Sequence, residues 1–177
     1  MTSENIYTRN RPLLNSILTG LFYFGFCWTI DFGDTTKFIF MSLMLFLPGI
    51  TFPLTTSFFT KDNEEIDEGN KILHVILSVL IYHGSVWLFS AKGKLMYITI
   101  FAGVLGSFLY QLSSKYILKK KLTLVQVYVT AFFSGLSFIP YEFIKVSGLM
   151  MGVSVILWTI INGTLLNIEY NSNEEFK

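Results

Sequence analysis

Between Lys71 and Lys92 the chain runs ILHVILSVLIYHGSVWLFSA, with no Asp, Glu, Lys or Arg among these residues. A helix that crosses the hydrocarbon core needs about 20 mostly apolar residues, within a range of roughly 17–25. In hydrocarbon every backbone N–H and C=O must be satisfied inside the protein, which leaves α-helices and closed barrels as spanning structures. A run this long without strict polar alternation reads as a membrane helix. Five other windows share its character, so that six candidates lie at approximately 13–30, 38–59, 72–90, 95–113, 122–140 and 144–166. The expected fold is all-α, a polytopic six-helix transmembrane bundle. Residues 1–12 form a cytoplasmic N-terminal segment, 13–166 the membrane domain and 167–177 a polar, frayed cytoplasmic tail.

Composition narrows the function classes. Charged residues make up 14% of the chain, against about 25% in soluble domains, and mean hydropathy is +0.55. A net charge of +1, with no basic groove carrying interleaved aromatics, argues against nucleic acid as a partner. The single cysteine, Cys27, forms no intrachain disulfide or CxxC pair and reads as a small apolar helix residue. Arg9 and Arg11 before the 13–30 stretch resemble the start of a signal peptide. The stretch is too long for the usual apolar region and no A-x-A cleavage site follows, so it is expected to remain as the first span.

The distribution of Lys and Arg sets an expected orientation. With six spans, the two termini and the second and fourth loops share one side. That side holds Arg9, Arg11, Lys61, Lys71, Lys115, Lys119, Lys120, Lys121 and Lys177, and the other holds Lys37, Lys92, Lys94 and Lys145. Both termini are therefore expected in the cytoplasm, with the bundle in a plasma (cytoplasmic or inner) membrane. Trp28, Trp87, Tyr97, Tyr116 and Tyr141 fall near span ends, where amphipathic rings prefer to sit. Lys115, Lys119, Lys120 and Lys121 would attract anionic lipid at about 1 kcal/mol per charge, and retention of topology explains them equally well. The acidic run at 62–68 reads as a solvated loop, or as a partner-docking or cation-attracting one. Its spacing does not match an EF-hand.

One phrase recurs. Residues 46–54 read FLPGITFPL and residues 132–140 read FFSGLSFIP. Gly49 matches Gly135, Ile50 matches Leu136, Thr51 matches Ser137 and Phe52 matches Phe138, with Pro53 and Pro140 offset by one. Proline removes a donor and clashes with the preceding turn, and the freed carbonyls then need partners. The phrases fall in the second and fifth windows, half a chain apart, as expected for a 3+3 inverted repeat. Paired Gly/Pro-interrupted spans are the best sequence pointer to a transporter's binding site. Chance similarity in a low-diversity apolar sequence is the competing explanation. The expected substrate path or gate comprises Pro48, Gly49, Thr51 and Pro53 from the first phrase, Gly135, Ser137 and Pro140 from the second, and His83 with Trp87 one turn on.

Other polar residues are sparse. Intramembrane ionisable groups usually mark function, and His83 is the one near mid-depth of any window. His74 lies on the opposite face of its helix, which rules out a shared metal site there. No metal or cofactor is expected. Given the assigned threading, Asn15, His74, Gln111, Gln126 and Asn162 lie toward the cytoplasmic ends of five different windows. They are expected either to line a hydrated vestibule or simply to gather near an interface. Ala102 with Gly106, and Gly148 with Gly152, are small-xxx-small pairs that let helices approach closely, within the bundle or in a homo-oligomer.

Enzymatic motifs such as GxSxG, a Walker loop or GxGxxG are absent from the sequence, and the chain is not expected to be an enzyme. The expectation is a transporter or channel-type protein that moves a small solute through a site at the broken second and fifth spans. The alternative is a non-catalytic membrane component, such as an immunity, assembly or effector subunit, that docks a partner subunit through its charged cytoplasmic loops.

Overall fold

The computed structural model describes residues 10–32, 49–55, 66–89, 97–144 and 147–174. All regular elements among these residues are helical: α1 (Arg11–Phe32), α2 (Glu68–Phe89), α3 (Ile98–Ile117), α4 (Leu124–Leu136), a π-helical turn (Pro140–Ile144) and α5 (Gly148–Glu174). The 49–55 segment adds a short helical piece between α1 and α2. Among the described residues, three stretches are long and apolar enough to cross a membrane: Glu68–Leu88, Leu124–Ile144 and Gly148–Ile168. Each has 21 residues, or about 31 Å at about 1.5 Å per residue, which matches a hydrocarbon core of about 30 Å.

The side-chain pattern is that of a protein dissolved in lipid. On α4 the buried residues are Val127, Thr130, Ala131, Ser134 and Gly135. Its exposed residues include Leu124, Val125, Tyr128, Val129, Phe132 and Phe133. Small and polar groups thus face inward and large apolar groups outward, the reverse of a water-soluble helix. In α3 the buried face likewise carries Ala102, Gly103, Gly106, Ser107, Ser113 and Ser114. Because lipid tails are as apolar as Leu, membrane helices associate through close backbone approach and interhelical hydrogen bonds.

The α1–α5 pair shows that close approach most fully. A Cβ on Gly20 would stand 2.4 Å from Thr159 Oγ1, and one on Gly163 would stand 2.2 Å from Ser16 Oγ. Gly152 packs against Phe24 and Cys27 of α1. Of the two glycines of the 148–152 pair, Gly152 therefore has its place filled within one chain. Gly106 of the Ala102–Gly106 pair packs on Ser85 of α2, and Ala102 is fully buried.

Several boundaries differ from the sequence expectation. The turn expected around Pro140–Glu142 is instead a π-helical continuation of the α4 stretch through Ile144. Around Pro140, Ser137 Oγ donates to Ser134 O and Glu142 N donates to Phe138 O, so the helical bonding continues past the proline. The stretch expected as a frayed tail continues as helix to Glu174. Of the second window, 49–55 is described, and Pro48 lies outside the described residues. So do Arg9, Lys37, Lys61, Lys92, Lys94, Lys145 and Lys177, together with most of the acidic loop.

Candidate functional site

The two copies of the repeated phrase use their glycines in the same way. A Cβ on Gly49 would stand 3.0 Å from Val79 Cα of α2. One on Gly135 would stand 2.3 Å from Val104 Cγ2 and 3.0 Å from Ile100 O of α3. Each glycine is a seat on which a neighbouring helix rests. The hydroxyls beside them serve the backbone. Thr55 Oγ1 donates toward Thr51 O and Phe52 O, at 2.9 and 3.1 Å, in the helical turn that contains Pro53. Ser137, expected as a solute contact, is buried and donates to Ser134 O at 2.7 Å. Both hydroxyls thus add side-chain bonds to backbone carbonyls of their own helical turns near the prolines.

Between these breaks lies an interhelical cavity of about 70 Å³. Gly49, Phe52 and Pro53 form one part of its wall, and Phe138 of the second phrase forms another. Phe52 and Phe138, the matched positions of the repeat, therefore reach the same space. Gly135 does not line it. Tyr23, Tyr82, Tyr110 and Trp158 complete an aromatic enclosure. Phe52 contacts Tyr110 and Trp158 with ring centroids at 5.2 Å in each case, tilted by 58° and 59°, within the range favoured by ring quadrupoles. Polar character comes from hydroxyls: Thr19, Ser78, Ser85 and Thr159 line the wall, and Tyr23 Oη lies 2.9 Å from Tyr82 Oη. No charged side chain is among the described lining residues.

A second feature lies along α3. Asn162 Oδ1 of α5 accepts from Ser107 Oγ and Gln111 Nε2, both at 2.8 Å. Asn162 Nδ2 donates to Ser134 Oγ of α4 at 3.0 Å and to Trp158 O at 2.9 Å. One turn further on α3, Ser114 Oγ lies 3.0 Å from His74 Nε2 of α2. Ser107, Gln111, Ser134, Asn162, Ser114 and His74 are all 0% exposed. Three of the five residues expected toward a hydrated vestibule, His74, Gln111 and Asn162, are thus sealed into a polar joint that ties α2, α4 and α5 to α3. The other two lie elsewhere. Asn15 donates to Thr55 O at 2.8 Å, bracing the 49–55 segment against α1. Gln126 closes a reciprocal capping box with Thr123 at the start of α4, a role that the T-x-x-Q spacing signals.

The remaining expected path residues lie off the cavity. His83 is half-buried and its ring contacts that of Tyr82, with centroids 6.2 Å apart. Trp87 is 73% exposed on the outer face of α2, where a belt residue would sit. Pro140 starts the π-helical turn, outside the wall. Tyr23 and Tyr82 were not anticipated. Their signal is position: both lie inside predicted windows, away from the ends where interfacial tyrosines gather. Comparison with protein-family models, with curated proteins and with solved structures returned no match.

Proposed function

We propose that the protein is an integral membrane transporter or channel-type protein that takes a small uncharged solute into the aromatic cavity between its helices. The observation that carries this reading is the convergence of Phe52 and Phe138 on one cavity. Two proline-disturbed segments half a chain apart contribute matched positions to one space, as binding sites at repeat interfaces do. The reading includes six spans in a 3+3 inverted repeat, with both termini on the Lys/Arg-rich cytoplasmic side. The wall chemistry selects the solute class. Aromatic rings and hydroxyls without a charged group suit a neutral molecule with one or two hydrogen-bonding atoms. The volume of about 70 Å³ restricts it to a few heavy atoms, since an engineered cavity that admits benzene measures about 150 Å³.

Trp158 provides the test. The chain has three tryptophans, and Trp158 is in the cavity wall. In a Trp28→Phe, Trp87→Phe background, its emission should change saturably as a neutral solute such as n-propanol is titrated against the detergent-solubilised protein. Ala102→Leu, which adds bulk at a fully buried wall position, should abolish the change. A linear response that survives Ala102→Leu would show solvent partitioning into the micelle and sink the reading.

A second reading, a non-catalytic component that docks a partner subunit through its charged loops, is favoured by the filled seat at Gly135. There Val104 and Ile100 occupy the space that a continuous path through both glycines would need. On this reading alanine changes within 62–68 impair function while Ala102→Leu does not.

A further inference from the structure

The α3–α4 connection and the outer groove between α4 and α5 form a continuous feature that the solute cavity does not explain. The groove holds about 380 Å³ and opens to the outside of the bundle. One wall is Gln126, Val129, Thr130 and Phe133 of α4, and the other is Ile160, Ile161, Thr164, Leu165 and Ile168 of α5. From Gln126 to Phe133 it runs about 10 Å along the helix at about 1.5 Å per residue. That is about a third of a hydrocarbon core of about 30 Å. Two of its polar atoms are used internally. Thr164 Oγ1 donates to Ile160 O and Gln126 Oε1 accepts from Thr123 N, so the surface offered is effectively apolar.

At the Gln126 end the groove meets a cationic turn. Lys119, Lys120 and Lys121 immediately precede the Thr123 cap, and Lys119 and Lys121 are exposed. Lys115 is turned inward, with its Nζ donating to Leu122 O. The turn is held beside the groove by packing, because Leu122 and Val127 form one buried cluster with Leu165, a groove-wall residue. The first turn of α4 adds the positive end of the helix dipole on the same side.

We propose that this feature is a site for one anionic phospholipid, its phosphate at Lys119, Lys120 and Lys121 and the upper part of one acyl chain in the α4–α5 groove. The charge complementarity is local: the exposed Lys119 and Lys121 lie in the turn that leads into α4, whose Gln126 stands at one end of the apolar groove. A basic juxtamembrane turn alone would attract anionic lipid diffusely. The groove makes the site discrete, because it gives a single chain a concave wall on two helices.

Native mass spectrometry of the detergent-purified full chain tests the site, with phosphatidylglycerol and phosphatidylcholine of identical acyl chains added in equal amounts. Each lysine contributes roughly fivefold at an anionic surface, so retained phosphatidylglycerol should exceed phosphatidylcholine by roughly tenfold or more. Lys119→Gln with Lys120→Gln and Lys121→Gln should erase the preference. Val129→Trp and Thr164→Trp, each at an exposed wall position, should reduce retention of phosphatidylglycerol several-fold with the lysines intact. Circular dichroism and a monodisperse elution profile confirm that each variant is folded, and two groove variants guard against loss of one. Equal retention of the two lipids, a preference that survives the lysine changes, or a preference untouched by both groove variants would overturn the proposal. The last outcome would leave a diffuse surface charge in its place.

Discussion

Asn162→Leu is expected to destabilise the folded bundle by about 2 kcal/mol, although it removes a polar amide from a buried position. The reason is Gln111. Its Nε2 donates to Asn162 Oδ1, while its Oε1 is buried with no partner. Removing Asn162 leaves the whole amide unpaired at 0% exposure. Ser107 fares better, because a helical serine can turn its hydroxyl to the carbonyl four residues back, as Ser16, Ser78 and Ser85 do. An orphaned buried polar group costs about 1–3 kcal/mol. The lost bond to Asn162 is part of that cost and is not added to it, so the middle of the range, about 2 kcal/mol, is the expected loss. Adding Gln111→Leu should then recover part of the loss, because apolar replacement of both partners is nearly neutral. Unfolding by SDS titration of the two single variants and the double variant measures the coupling directly. A double variant less stable than Asn162→Leu alone would contradict this account of the joint.

Gly135→Val is expected to be at least as damaging, by a different route. Its Cβ would stand 2.3 Å from a Val104 methyl and 3.0 Å from the Ile100 carbonyl. The methyl can rotate aside, but the carbonyl belongs to α3 itself. On the facing side, a Cβ on Gly103 would stand 3.2 Å from Gly135 Cα and 2.5 Å from the Phe138 ring, so the two backbones approach closely with that ring packed beside the crossing. Overpacking a filled interior costs typically about 1–3 kcal/mol, and separating α3 from α4 would also stretch the Ser134–Asn162 bond next to the crossing. Gly84→Ala is the control, since a Cβ there meets nothing within 4 Å. It should be neutral or slightly stabilising. Equal melting temperatures for Gly84→Ala and Gly135→Val would show that the α3–α4 crossing is looser than this geometry implies.

What was legible in the sequence was a helical chain with apolar runs of membrane-spanning length. A chain whose apolar runs match the bilayer must be helical, and the long helices α2 and α5 lie where those runs predict. The repeated phrase was also legible as a pair of proline-bearing segments, of which the second carries a π-helical turn at Pro140 while the first stays helical through Pro53. Its internal division of labour was not. Gly49 and Gly135 looked like a meeting point, yet each supports a different helix, and their phenylalanine neighbours reach the cavity instead. Periodicity places a residue on a helix face, but it does not say which helix covers that face. For the same reason Gln111 and Asn162 were visible as unusual polar residues, while their direct bond, across 51 positions of sequence, was not. Helix ends near Pro140 were displaced because proline in a membrane helix is accommodated by a π-helical turn rather than forcing a loop. The backbone groups it frees are satisfied within the protein.

Transport through the aromatic cavity is tested most directly by stopped-flow light scattering of proteoliposomes. Purified protein and its Ala102→Leu variant would be reconstituted at equal density and challenged with gradients of glycerol, urea, acetamide and 1,2-propanediol. Swelling for at least one of these neutral solutes should exceed that of empty liposomes and return to their rate with Ala102→Leu. Rates equal to empty liposomes for every solute, or an enhanced rate that Ala102→Leu leaves unchanged, would contradict the cavity as a transport site and direct attention to the charged loops and the partner they would dock.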